Sequence, residues 1–203
     1  RVGVFGCGAI AQVQHLPFLT ELAEEFEVTI VCDLSPSAAR YAAELFHVPR
    51  QTTDYREVLE SDVDGVLLCQ TDPKTAVAVA SFEAGKHVFI EKPAGASPEE
   101  SQRLLEAATA NDVYCMVGYQ RRYAAVTREA MRLVKERGPA TLAIGEFHKH
   151  MLGAAEPPRT TMWNDICHVV DLVRYMAGSE AVEVNAFQDT RQSTWPNDYN
   201  SLF

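Results

Sequence analysis

Three groups of residues have types and spacings suited to chemistry. Gly6-Cys7-Gly8-Ala9-Ile10-Ala11 is a G-x-G-x-x-A loop between an apolar run and a helical pattern. In such a loop the first glycine permits the tight turn and the second lets the backbone approach a pyrophosphate. The small last residue allows close helix–strand packing, and the helix start at Ala9 and Ile10 meets phosphate charge. Asp33 ends the next apolar run, roughly 20 residues on, where a carboxylate would bind ribose hydroxyls. The competing reading of Asp33 is a turn or helix-capping residue. Glu91-Lys92-Pro93 follows another apolar run. A lysine there can donate to a substrate oxygen, although position alone favours a solvated loop lysine. Asn164-Asp165-x-x-His168-x-x-Asp171 has helical spacing, so the acids and amide flank the imidazole along one face. A carboxylate beside histidine fixes its tautomer and raises its basicity, as a general base requires. A lone helix histidine is more often a packed or capped residue. His148 and His150 alternate onto one strand face without a third ligand at suitable spacing, so no metal site is expected.

The elements that must position these groups follow from hydrophobic periodicity. Val2–Phe5, Val28–Cys32, Gly65–Cys69, His87–Ile90 and Val113–Val117 read as strands. Between them lie helical patterns: one from about Ala9 that Pro17 must kink or interrupt, and one opened by Ser35-Pro36 with Ala39, Ala42, Ala43 and Phe46 on a face. A short helix is capped by Asp54 with Glu57, one runs from Asp72-Pro73 to Gly85, and one is opened by Ser97-Pro98-x-Glu100. Alternating strands and helices imply right-handed crossovers and a parallel sheet covered on both faces, a doubly wound α/β domain over residues 1–120.

Past Gly118 the pattern changes. A helix is expected from about Ala124 to Glu136, with Val126, Ala130, Leu133 and Val134 inward, ended by Gly138-Pro139. Residues 140–150 read as a long strand and 153–161 as a loop. Asn164 to Ala177 reads as a helix burying Ile166, Val169, Val170, Val173 and Met176, stopped by Gly178. Residues 181–187 and 199–203 read as further strands. The last has no terminator, so a fragment is expected, with residues 121–203 forming the start of an α+β domain.

Composition excludes several classes. The 203 residues carry 18 Lys+Arg against 28 Asp+Glu, a net charge of −10, which disfavours nucleic acid and anionic membranes. No apolar run reaches the roughly 18–20 residues of a membrane span. Five widely spaced cysteines without a CxxC pair suggest a reducing compartment, and a cytoplasmic location is expected, any leader lying upstream of Arg1.

Taken together, the chain resembles the Gfo/Idh/MocA oxidoreductases, the group that includes inositol 2-dehydrogenase and glucose–fructose oxidoreductase. The resemblance rests on Gly6–Ala11 with His15-Leu16-Pro17, on Glu83–Val88 running into Glu91-Lys92-Pro93, on Gly118–Tyr123, and on the Asp165/His168/Asp171 helix ending at Gly178. It implies an N-terminal Rossmann domain for NAD(P) and a C-terminal α+β domain with an open sheet through which copies pair as a homo-oligomer. It also implies oxidation of a secondary alcohol of a sugar, inositol or related polyol. Lys92 and His168 would contact the reacting oxygen, Asp165 would assist the histidine, and Gly6, Gly8, Ala9, Ile10, Asp33, Glu91 and Lys92 would line the cofactor. The alternatives are an NAD-using glycosidase of the same family and a non-catalytic dinucleotide sensor.

Three stretches depart from the family pattern. Cys69-Gln70 and Lys74 stand where relatives commonly have Thr-Pro and a histidine, so no cofactor contact is assigned to that loop. Gln120 replaces a common asparagine. Asn164 occupies the place of an acid, with Asp165 beside it. NAD is expected over NADP, because Asp33 would repel a 2′-phosphate and neither Leu34 nor Ser35 is cationic.

Overall fold

A computed structural model describes residues 1–71, 74–147, 165–186, 188–189 and 201–202. The chain divides into two compact units, Arg1–Gly118 and Tyr119–Phe203.

The first unit is built on six parallel strands: β1 (Val2–Phe5), β2 (Val28–Cys32), β3 (Arg50–Thr52), β4 (Gly65–Leu68), β5 (His87–Ile90) and β6 (Cys115–Val117). They lie in the order β3-β2-β1-β4-β5-β6. The order reverses between β1 and β4, and open α/β sheets bind ligands at the carboxyl ends of the strands flanking that point. Five helices cover the sheet: α1 (Leu16–Glu21), α2 (Pro36–Leu45), α3 (Tyr55–Leu59), α4 (Thr75–Glu83) and α5 (Pro98–Ala110). Side chains that alternate along each strand feed two cores. Phe5, Ile30, Val66, Leu68, Val88 and Ile90 pack with Val58, Ala78, Phe82 and Leu104, under α3, α4 and α5. Val2, Val4 and Val31 pack with Ala11, Leu16, Leu19, Ala42 and Ala43, under α1 and α2.

The caps expected from sequence close as hydrogen bonds. Ser35 Oγ accepts from Ala38 N–H, Asp54 Oδ1 from Arg56 N–H, and Ser97 Oγ from Glu100 N–H. Pro17 does not break its helix. A π-helical turn at Ala11–His15 runs directly into α1, with Pro17 in that helix's first turn. Leu16 N–H donates to the Ala11 carbonyl across the widened turn, and Pro17 sits at the start of α1, where a missing N–H costs least. Strand β3 was not anticipated: its residues are mostly exposed, and its pairing with β2 defines it. Asp72-Pro73 lies outside the described residues, and α4 is capped at Lys74.

In the second unit, a 3-10 turn (Gln120–Tyr123) leads to α6 (Ala125–Arg137), followed by α7 (Cys167–Ala177) and a two-stranded antiparallel pair, β7 (Gln188–Asp189) and β8 (Ser201–Leu202). Several expectations need correction here. Residues 140–147 form no strand, since none of them pairs with a neighbouring strand among the described residues; Gly145 lies against α7, where a Cβ would meet Val169 at 2.5 Å and Val173 at 2.9 Å. Residues 181–186 are also not a strand, and Val182 and Val184 are exposed. The buried face of α6 is rotated. Thr127 is buried, Ala130, Met131 and Val134 are half-buried, and Val126 and Leu133 are exposed. On α7 the most buried residues are His168 and Asp171 rather than the aliphatic stripe, and Val170 is exposed. The expected loop at 153–161, with Asn164, His148 and His150, lies outside the described residues. No helix among the described residues is long and apolar enough to cross a membrane.

Candidate active site

The first unit gathers the loop, Asp33 and Glu91-Lys92-Pro93 at the carboxyl edge of β1, β2, β4 and β5. Gly6 is required twice over. Its φ is +83°, and an added Cβ would lie 2.5 Å from the Gln70 backbone nitrogen at the end of β4. Gly8 is the opposite case: a Cβ there would meet nothing within 4 Å, and Gly8, Ala9 and Ile10 are exposed. The loop backbone therefore faces free space at a helix start, the cradle that a pyrophosphate needs. Asp33 uses both oxygens. Oδ2 accepts from Cys7 N–H at 2.7 Å and Oδ1 from Ser35 N–H at 2.8 Å. It is therefore both a turn-former and a tie between β2 and the glycine loop. These residues fit a bound dinucleotide.

Cys7 lies within the loop but is unsuited to nucleophilic chemistry. Burial and then the Asp33 charge push its thiol up to about 12, and Cys32 behaves alike. All five cysteines are free thiols.

Glu91 is held from two sides. Its Oε1 lies 2.8 Å from His15 Nε2, and its Oε2 accepts from the Lys92 N–H at 3.1 Å. Burial, the largest single influence, pushes its carboxyl up. The His15 hydrogen bond and charge, with the Lys92 N–H and charge, outweigh burial and hold the carboxyl below its ordinary range. The His15 ring also stands edge-on to Phe89 at 5.3 Å. A pairing across 76 residues carries no local signal, although His15 belongs to the His-Leu-Pro stretch that supported the resemblance.

Lys74, at the N-terminus of α4, lies in the loop to which the sequence assigns no contact. It is only 5% exposed, and its Nζ donates to the Glu91 carbonyl at 2.6 Å and the Pro93 carbonyl at 2.7 Å. Burial brings its pKa down to about 8, against a weaker upward pull from Glu91. The signal that could have found it is its position, where relatives commonly carry a histidine.

In the second unit α7 turns His168 and Asp171 inward. Arg122, from the Gly118–Tyr123 stretch, engages both Asp171 oxygens: Nε donates to Oδ2 at 2.7 Å and Nη2 donates to Oδ1. Its guanidinium also lies over the Tyr175 ring. The hydrogen bond to Asp171 holds the Arg122 pKa above its ordinary value. Asp171 is thus the anchor of Arg122. Tyr119 stands edge-on to His168, with ring centroids 6.2 Å apart. Asp165 lies in the turn that leads into α7 and is partly buried. Lys92 and His168 belong to different units.

Residues 1–119 match the profile of an oxidoreductase family with an NAD-binding Rossmann fold, Gfo/Idh/MocA. Inositol 2-dehydrogenase 3 of Saccharopolyspora erythraea is 30% identical over a 197-residue alignment that covers 95% of this chain and 58% of that protein. A 4-carboxy-2-hydroxymuconate-6-semialdehyde dehydrogenase of Sphingobium is 30% identical over 93% of this chain and 62% of its own length. The crystal structure of the WlbA dehydrogenase from Chromobacterium violaceum, in complex with NADH and UDP-GlcNAcA, superposes with a TM-score of 0.81 at 25% identity. That match covers 95% of this chain and 59% of the other. The chain thus spans about 60% of the length of these relatives.

Proposed function

Because the chain belongs to the Gfo/Idh/MocA oxidoreductases, we propose that it is the NAD-binding and catalytic part of a dehydrogenase acting on a secondary alcohol of a sugar, inositol or related polyol. The observation that carries this reading is the convergence of the Gly6–Ala11 loop, Asp33 and Lys92 on one sheet edge beside the strand-order reversal. Bound nicotinamide supplies the hydride acceptor. Gly6, Gly8, Ala9 and Ile10 receive the pyrophosphate, and Asp33 receives the adenosine ribose hydroxyls while repelling a 2′-phosphate, which favours NAD over NADP. Glu91 and Lys92 border the nicotinamide end.

As the carbonyl forms, the substrate hydroxyl must lose its proton. The imidazole of His168 takes it, assisted by Asp165, because neutral histidine is available near pH 7. The Lys92 ammonium holds the oxygen and stabilises the charge growing on it, an interaction strongest in the transition state. The inositol dehydrogenase supports a CH–OH substrate and the WlbA complex with NADH and UDP-GlcNAcA supports a sugar, while the semialdehyde dehydrogenase is named for a carbonyl substrate. The working form is a homo-oligomer paired through its C-terminal sheet, located in the cytoplasm, with no nucleic-acid or membrane partner.

The test is a panel of inositols, sugars and polyols offered to the full-length protein with NAD, read as NADH absorbance. Substrate-dependent NADH formation is expected. Hydrolysis of a glycoside without net NADH would identify the glycosidase instead, and NAD binding without turnover of any substrate would identify a sensor.

A further inference from the structure

Lys74 has a feature that the proposed chemistry leaves unused. A lysine ammonium is seldom taken out of water without a partner that needs it. Here the charge is 5% exposed, and among the described residues its Nζ donates to two backbone carbonyls, those of Glu91 and Pro93. These two residues bracket Lys92. Each carbonyl accepts a charge-assisted hydrogen bond, stronger than a neutral one. The same segment is also held by the contact of the Glu91 carboxylate with His15, and stiffened internally by its contact with the Lys92 N–H. The backbone on either side of Lys92 is therefore fixed by an ammonium from the start of α4 and a histidine ahead of α1.

We propose that Lys74 is a positioning residue for the reaction: its ammonium clamps the carbonyls on both sides of Lys92 and thereby sets where the Lys92 amine meets the substrate oxygen. This rests on the reading of Lys92 given above. Misplacing a reacting group by about 1 Å can cost on the order of 100-fold in rate. Among the described residues, three titratable groups act on the ammonium. Glu91 favours its charge, Lys92 opposes it, and the buried Cys69 at the end of β4 stays protonated because burial raises its thiol well above the ordinary value. With a pKa near 8, the clamp weakens as pH rises through that value, since a neutral amine donates less strongly.

The test compares the full-length wild-type protein with Lys74→Met, Lys74→Arg and Lys92→Ala. Two readouts are followed: amide hydrogen exchange of residues 91–96 at one pH, and kcat against pH. Lys74→Met should speed exchange in that segment and lower kcat by about tenfold or more while NADH affinity stays within about twofold. Wild-type kcat should fall above pH about 8. Lys74→Arg, whose charge does not titrate there, should keep slow exchange and lose that alkaline fall. Unchanged exchange in Lys74→Met overturns the clamp. Faster exchange with unchanged kcat overturns its catalytic consequence. An alkaline fall that persists unchanged in Lys74→Arg overturns the assignment of that ionisation to Lys74. Full activity in Lys92→Ala would instead overturn the reading of Lys92, and the exchange response of Lys74→Met distinguishes that failure from failure of the clamp.

Discussion

The two units hold their functional side chains by different means. In the first, the His15–Glu91 pair aside, the anchors engage backbone groups: Asp33 accepts from loop and turn N–H groups, and Lys74 donates to the Glu91 and Pro93 carbonyls. These anchors sit on strands whose register is fixed by six-stranded pairing and two apolar cores. In the second, side chains hold one another: Arg122 grips Asp171, Tyr119 stands against His168, and the helix buries its polar residues more deeply than its aliphatic ones. A backbone-held site inherits the stability of the sheet. A side-chain-held site depends on single pairs, so one substitution should reach much further in the second unit than in the first.

Breaking that comparison begins with Arg122→Met. It leaves the Asp171 carboxylate, 6% exposed, without its guanidinium. The Arg122 side chain is itself 32% exposed, so the pair is only half-buried and losing the guanidinium costs on the order of 2–3 kcal/mol. The expected outcome is faster amide exchange across α7, with exchange in β1 and β4 unchanged. Equal loosening of both units would contradict the division.

Gly6→Ala is the corresponding break in the first unit. The positive φ alone costs about 1–3 kcal/mol in a residue with a side chain. The close approach to Gln70 adds to that because the obstructing atoms are backbone. Lower thermal stability together with weaker NADH binding is expected, whereas Gly8→Ala should keep its stability and lose only affinity. If both variants fold as well as the wild type, the two glycines are not doing different jobs.

A smaller change should sharpen the picture. Asp33→Ala removes the ribose acceptor and the tie to Cys7 at once. NADH should bind about tenfold more weakly, the scale of one lost charged hydrogen bond, and the preference over NADPH should shrink. Unchanged discrimination in a fluorescence titration would assign cofactor choice elsewhere.

Legibility in the sequence divides along the same line. The strands of the first unit declare themselves because a parallel sheet buried on both faces demands short continuous apolar runs. Its glycine loop and caps are local signals. Strand β3 escapes because its exposed residues obtain their structure from β2. The Lys74 clamp and the His15–Glu91 pair escape because each joins residues far apart in the chain. In the second unit, alternation at 140–147 and 181–186 reads as strand, yet a strand exists only when a neighbour pairs with it. Gly145 lies against α7 instead. His168 was legible as a residue type, but its burial with Asp171, and the grip of Arg122, follow from packing that period counting does not contain.

The central claim is that a hydroxyl proton leaves through His168 while Lys92 holds the oxygen. It is tested most directly by kcat/KM for alcohol oxidation against pH, in the full-length protein and in His168→Ala. The wild type should rise with pH through one ionisation as the imidazole becomes neutral. His168→Ala should lose about 100-fold or more in kcat, with that rise gone and NADH affinity unchanged. A His168→Ala protein that keeps both the rate and the rise would place the base on another residue and contradict the account.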